Sequence, residues 1–151
     1  AWDTSGTGMK SMPSVKIESF LDSNILIYAA TAKKNDPRKY AIAYRIVLDR
    51  EFGVSGQTLA EFCSVTLRKR LLGPEEVDQW LALLGELPFV PVDGPLVTAG
   101  LALARRYGTT YYDAALLAAA ALLGASVFYS EDLNHGQLYG SVRVINPFLE
   151  I

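Results

Sequence analysis

The chain holds a single cysteine, Cys63, and a single histidine, His135. No disulfide can form within it, and a zinc site, which needs several His or Cys ligands, cannot be assembled. A serine triad would rest on His135 alone, with no Gly-x-Ser-x-Gly elbow to present the nucleophile. A glycine-rich phosphate loop is missing too, because Gly6-Thr7-Gly8 precedes the strand and helix patterns and ends without lysine. The longest apolar run, Ala114 to Tyr129, is shorter than a membrane span and is broken at Gly124-Ala125-Ser126. No membrane partner is expected. Positive charge is not in excess: the net charge is −2 and the pI about 5.4, which excludes the overall basic signature of a DNA-coating protein. Nucleic acid is still admissible, because a metal-loaded acidic pocket cancels its own charge locally.

What is present is ordinary globular composition, 50% hydrophobic and 20% charged over 151 residues, enough for one domain with a sizeable core. Cys63 lies in a helical pattern and reads as a small buried hydrophobe, which fits a cytoplasmic location. The first fifteen residues lack the apolar core of a signal peptide. Residues 1–12 show no periodicity and read as a tag remnant or disordered leader, with residues 13–151 as a single domain.

Strand and helix patterns alternate. Val15 to Leu21 is a strand pattern, followed by a short helix from Asn24 to Ala30. Asn35-Asp36-Pro37 opens a second helix reaching Asp49, with Ala41, Tyr44, Val47 and Leu48 on one face. Gly53-Val54-Ser55 is a short strand, and a helix from Gln57 to Arg70 follows. Gly73-Pro74 opens a helix carrying Val77, Trp80, Leu81 and Leu84. Phe89 to Val92 is a strand, Leu96 to Tyr107 and Tyr111 to Leu123 are helices, and Val127 to Ser130 and Val142 to Ile145 are strands. The helix after Tyr111 is apolar all round and must be covered on every side. Such alternation predicts an α/β fold with a parallel sheet wrapped on both faces.

Four carboxylates stand where a bare charge is hard to justify. Asp22 and Asp132 each follow an apolar strand. Asp113 is the only charged residue between Arg106 and Glu131. Glu61 comes early in a helix. In an open parallel sheet, ligands bind beyond the carboxyl ends of the strands, where strand order reverses. If the first strand neighbours the strand before Asp132, their tips bring Asp22 and Asp132 together. Clustered buried acids repel and desolvate at a cost, so they call for a cation. Without His or Cys ligands that cation is Mg²⁺ or Mn²⁺. Each acid also has a plainer reading. Asp22 can cap the helix that follows, Asp132 can be a loop acid, and Thr58-x-x-Glu61 and Thr110-x-x-Asp113 both read as capping boxes. His135 reads as a surface-loop histidine or a phosphate contact.

In motif and order, Leu21-Asp22-Ser23-Asn24-Ile25-Leu26-Ile27-Tyr28, Leu59-Ala60-Glu61-Phe62, Tyr111-Tyr112-Asp113-Ala114-Ala115-Leu116 and Tyr129-Ser130-Glu131-Asp132-Leu133 resemble the PIN-domain ribonucleases. The match is closest to the compact bacterial toxins of the VapC type. Val144-Ile145-Asn146-Pro147-Phe148 fits the same group, and the resemblance spans about Lys16 to Phe148. It implies a PIN-like α/β/α sandwich with a central parallel sheet. It also implies Mg²⁺- or Mn²⁺-dependent endoribonuclease activity, homodimerisation and inhibition by a cognate antitoxin. The family's acids correspond to Asp22, Glu61, Asp113 and Asp132, and its small polar helpers to Asn24 and Ser130. Serine stands at Ser130 where threonine is common.

A phosphodiester is repelled by an acidic pocket unless metal intervenes. Asp22, Asp113 and Asp132 are therefore expected within metal-bridging reach of one another, with Glu61 on the rim and Asn24 and Ser130 orienting ligands or water. Lys33, Lys34, Arg38, Lys39 and Arg45 are candidates for RNA phosphate contacts, against the plainer reading of a solvated helix face. Tyr28, Tyr40, Tyr44 and Trp80 read as a partner groove or as core. Three rivals remain. One is a phosphoacceptor receiver domain, which usually carries paired acids after its first strand and a lysine after its last. Another is a catalytically silent PIN-fold module that binds RNA or protein. The third is a metal nuclease acting on structured DNA.

Overall fold

In the computed structural model, which describes residues 17–149, the first strand alternates its side chains between two cores. Phe20 of β1 (Ser19–Leu21) joins one buried cluster and Leu21 joins the other. This is the two-residue period of a strand covered on both faces. Each such side chain contributes roughly 1.5–3 kcal/mol of burial free energy.

The elements follow in the order α1 (Ser23–Thr31), α2 (Pro37–Leu48), β2 (Phe52–Ser55), α3 (Gly56–Arg68), α4 (Pro74–Leu84), β3 (Phe89–Val90), α5 (Gly94–Tyr107), α6 (Tyr111–Leu122), β4 (Val127–Tyr129), β5 (Leu138–Tyr139) and β6 (Val142–Ile145). The sheet order is β3-β2-β1-β4-β6-β5. All pairings are parallel except β5 with β6. Strand order reverses between β1 and β4, so the expected neighbours are neighbours and Leu21 pairs with Tyr129. The central parallel sheet between helical layers is the α/β/α sandwich anticipated above.

One face of the sheet is covered by α6, with α5 packed outside it. Ala114 to Ala120 are all buried, which accounts for a helix apolar all round. Contact between α5 and α6 is close because Gly100 has no side chain. A Cβ there would sit 3.0 Å from the Cα of Ala115. Gly108 ends α5 in the left-handed region at φ 66°, a conformation glycine adopts without steric penalty. The short turn it allows leads into the Thr110 cap of α6. The other face buries Leu21, Ile25, Leu26, Ala43, Phe52, Phe62 and Leu84 from β1, β2 and α1 to α4.

Several local expectations change. The buried stripe of α2 runs through Ala43 and Val47, while Ala41, Tyr44 and Leu48 face outward. The expected face mixed the two sides because helix contacts recur at three and four residues, and only Val47 lies on the covered side. Ser55, the last residue of β2, caps α3, and Thr58 completes the capping box with it. The helix thus starts directly off the strand, and Glu61 is not a capping residue. Thr110 does cap α6, accepting from the Asp113 N–H. The two-residue β5 was not anticipated, since so short a strand carries no period. Val15, Lys16 and the proposed leader lie outside the described residues.

Candidate active site

The carboxyl ends of β1 and β4 deliver two of the four acids side by side. Asp22 directly follows β1 and is 5% exposed. It caps α1, its Oδ1 accepting from the Ser23 N–H at 2.7 Å. Its Oδ2 accepts from the Ser130 hydroxyl, just past β4, at 2.7 Å. The capping and the site readings of Asp22 are therefore one geometry: the residue that ends the strand and starts the helix also faces the crevice.

Around Asp22 the polar groups join into a network. The Ser23 hydroxyl donates to Glu61 Oε2 at 2.8 Å. Gln57, one turn before Glu61 on α3, donates to Glu61 Oε1 at 2.7 Å and to the Tyr112 carbonyl at 3.0 Å. That amide ties Glu61 to the first turn of α6. On the other side, the Asn24 amide donates to Asp132 Oδ2 at 3.1 Å, and the Asp132 N–H donates to the Ser130 hydroxyl at 3.1 Å. Burial, foremost, and the nearby Asp132 and Glu61 charges push the Asp22 carboxyl up to about 7, against the lowering effect of the Ser130 and Ser23 hydrogen bonds.

Asp113 stands half-buried in the first turn of α6. With Asp132 it lines a cleft of about 370 Å³ whose other walls include Thr109, Asn134, Gln137 and Tyr139. Burial and then the Asp113 charge hold the Tyr139 hydroxyl above its usual value. The structure thus links Asp22, Glu61, Asp132, Asn24, Ser23 and Ser130 by hydrogen bonds, and it brings Asp113 to the cleft that Asp132 also lines.

The donor set suits a hard divalent cation in kind, being carboxylates, an amide carbonyl and hydroxyls. Among the described residues two buried atoms have no hydrogen-bond partner, Asn24 Oδ1 beside Asp132 and the hydroxyl of Thr109, a residue of the cleft wall. Buried acceptors of this kind are uncommon and call for an ion or a water. Among the described residues, however, no three His, Cys, Asp or Glu side chains are set to hold an ion as they stand.

The basic candidates divide. Lys33, Lys34 and Arg45 are exposed. Arg38 donates to the Phe148 carbonyl at 2.5 Å. Lys39 is taken up by Glu131, at 2.8 Å, and that carboxylate raises the lysine's pKa. Of the aromatic residues, Trp80 packs against Phe62, Tyr40 stacks on Tyr44, and Tyr28 donates to Glu131 at 2.5 Å. His135 is exposed and its Nδ1 accepts from the Asn146 N–H at 3.0 Å, tying two loops together. Cys63 is half-buried on α3.

Sequence reasoning missed Ser23 and Gln57. Gln57 stands four residues before Glu61, the spacing that places two side chains on one helix face. Ser23 follows a helix cap in the first turn, and only the fold shows that Glu61 comes within its reach.

An α/β/α sandwich here gathers acids beyond the strand ends at the β1/β4 reversal, the place where open parallel sheets bind their ligands. The PIN domain family matches residues 19–140, and the chain belongs to that family. Among solved structures, a toxin–antitoxin complex from Klebsiella pneumoniae aligns with a TM-score of 0.62 at 17% identity, covering 89% of this chain and 100% of that one. VapC20 of Mycobacterium tuberculosis, a toxin that cleaves the sarcin–ricin loop, aligns with a TM-score of 0.61 at 17% identity, over 76% and 92% of the two chains. VapBC2 from Rickettsia felis, solved on a DNA fragment from its promoter, aligns with a TM-score of 0.57 at 15% identity, over 83% and 96%. At these identities the likeness is one of fold. No match is found among curated proteins.

Proposed function

We propose that this chain is a divalent-metal-dependent endoribonuclease and the toxin of a type II toxin–antitoxin pair. The observation that carries the reading is the Asp22 carboxylate, buried where β1 and β4 end and faced by Asp132 and Glu61. A dry carboxylate among like charges needs a proton or a cation, and at neutral pH a bound cation is the useful one. A bound Mg²⁺ or Mn²⁺ supplies neutralisation of the phosphate charge and a more acidic water. Asp22, Asp113 and Asp132 would hold it, with Glu61 coordinating through water or a second ion. Asn24 offers its unpartnered carbonyl, and Ser130 fixes the direction of the Asp22 carboxylate through its hydroxyl.

Membership of the PIN family supports nuclease chemistry, and the VapC20 likeness favours RNA over structured DNA as substrate. Aligned structures solved as toxin–antitoxin complexes support a cognate antitoxin. The same reading brings a homodimer and a cytoplasmic site of action. Exposed apolar side chains such as Tyr44 and Leu48 on α2, and Val97 and Leu101 on α5, offer surface for these partners. Among the described residues no helix is long and apolar enough to cross a membrane.

Incubation of the purified chain with end-labelled RNA and DNA, with Mg²⁺, Mn²⁺ or EDTA, tests the proposal. The expected result is RNA cleavage that needs the metal and is lost in Asp22→Asn. Cleavage of DNA alone would move the chain to the structured-DNA reading. The catalytically silent module is the second reading, favoured by the absence of a preset three-acid cluster among the described residues. Metal binding without cleavage of any RNA offered would support it.

A further inference from the structure

Glu131 lies between two residues of the candidate site, and its side chain does not join them. Ser130 reaches Asp22 and Asp132 reaches Asn24. Glu131 instead accepts from the Tyr28 hydroxyl through Oε1 at 2.5 Å and from Lys39 Nζ through Oε2 at 2.8 Å. Lys39 Nζ also donates to the Tyr28 hydroxyl at 3.3 Å. The ammonium lies 4.8 Å from the centre of the Tyr28 ring and 5.3 Å from that of Phe148. These two rings meet edge to face. All three polar side chains are thus satisfied by one another, and the ion pair is largely sheltered, at 28% and 21% side-chain exposure.

The placement on α1 is what gives this cluster a purpose. Asn24 and Tyr28 are four residues apart, on one face of the helix. One turn holds Asp132 and the next holds the residue before it. Lys39 from α2 then closes on the second oxygen of Glu131. We infer that Tyr28, Lys39 and Glu131 form a clamp that fixes the segment Ser130-Glu131-Asp132, so that Lys39 and Glu131 are positioning residues for the acidic site and Lys39 is not an RNA contact. The inference rests on the nuclease reading for its purpose, but its geometry does not. A carboxylate on a loop directs its oxygens only as well as the loop is held. Outer groups that hold ligands in place commonly carry ten- to a hundredfold in metal affinity. An exposed lysine meant for phosphate would need its charge free, whereas this one is neutralised locally.

Calorimetric titration of Mg²⁺ and Mn²⁺ into the full chain tests the clamp. Wild type is compared with Glu131→Gln, Lys39→Met and the exchanged pair Lys39→Glu/Glu131→Lys, alongside amide hydrogen exchange of residues 130–134 in EDTA. The expected result is metal affinity lowered about tenfold or more in each single variant, faster exchange in that segment, and partial recovery of both in the exchanged pair. On RNA, kcat should fall while KM stays near wild type. A raised KM with wild-type metal affinity would instead show Lys39 to be an RNA contact and overturn the inference. Unchanged hydrogen exchange in both single variants would overturn it whatever the metal result. Failure of wild type itself to bind metal or cut RNA would count against the nuclease reading, while the exchange data would still decide whether the clamp exists. Should a single variant fail to fold, the exchanged pair and a milder Lys39→Gln carry the same comparison.

Discussion

The Ser130 hydroxyl donates to Asp22 Oδ2 at 2.7 Å across the ends of two neighbouring strands, and both residues are buried. This bond favours the charged form of Asp22 and opposes the effect of burial. Removing the hydroxyl leaves a buried carboxylate short of a donor. Ser130→Ala should therefore raise the Asp22 pKa further and cost about 1–3 kcal/mol at pH 8. Urea denaturation gives the stability and carboxyl carbon NMR the titration. A lowered Asp22 pKa in the variant would contradict this account of the bond.

The Asp22 carboxyl, raised to about 7 from 3.8, predicts how metal-free stability varies with pH. Its folded-state pKa lies above the unfolded one, so the folded chain binds the extra proton between these values. Stability then falls as pH rises from about 4 to 7, and the whole penalty, on the order of 4 kcal/mol, stands above 7. Asp22→Asn should keep the helix cap, since asparagine caps as well as aspartate. It should also remove that share of the slope, making the metal-free variant more stable than wild type at pH 8. Denaturation of both proteins in EDTA from pH 5 to 8 measures the difference. Parallel curves would mean that Asp22 is not the group responsible.

The meeting of Asp22 and Asp132 was legible in the sequence because it needs only strand ends and a parallel sheet. Glu61 was expected near these acids, and Ser23 links it to Asp22; the start of its helix was placed within one residue, but the cap was misread. The Thr58-x-x-Glu61 spacing mimics a capping box, and only the direct passage of β2 into α3 shows Ser55 and Thr58 making the real one. The buried face of α2 was misassigned because Ala41, Tyr44 and Leu48 repeat at the same three- and four-residue spacing as the truly buried Ala43 and Val47. Lys39 looked like its neighbours Lys33 and Lys34, because pairing with Glu131, 92 residues later, leaves no trace in local pattern. Glu131 seemed to blur which acid belonged to the site. The fold separates the two acids by giving Glu131 to Tyr28 and Lys39 and leaving Asp132 at the cleft.

Packing of α5 on α6 gives a prediction about the frame that carries Asp113. A methyl at Gly100 would lie 3.0 Å from Ala115 Cα, 3.1 Å from its Cβ and 3.3 Å from the Tyr111 ring. The first of these is backbone and cannot turn aside. Gly100→Ala gains about 1 kcal/mol of helix propensity but forces the helices apart, at a typical overpacking cost of about 1–3 kcal/mol. Net destabilisation is expected, readable as a lowered Tm. Gly53→Ala is also crowded, but its nearest atom is the end of the Leu123 side chain, so a milder effect is expected there.

Asp113 separates the proposed metal-holding role of the acids from a structural one most cleanly. Its backbone N–H is capped by Thr110 and its side chain lines the cleft, so the cap survives when the carboxylate is changed. In Asp113→Asn the chain loses a negative charge in the first turn of α6, worth about 0.3–1 kcal/mol through the helix dipole. Metal-free stability should therefore shift by less than about 1 kcal/mol. The response to metal should shift much more. Wild type is expected to gain about 2.7 kcal/mol when Mg²⁺ is a hundredfold above its dissociation constant. At that same Mg²⁺ concentration the variant should gain clearly less, because one of the expected ligands is gone. Thermal melts of both proteins in EDTA and across a Mg²⁺ series give the two quantities separately. A large loss without metal would make Asp113 a structural residue of α6. An undiminished Mg²⁺ response would remove it from the metal site and leave the ion, if bound, to Asp22, Glu61 and Asp132.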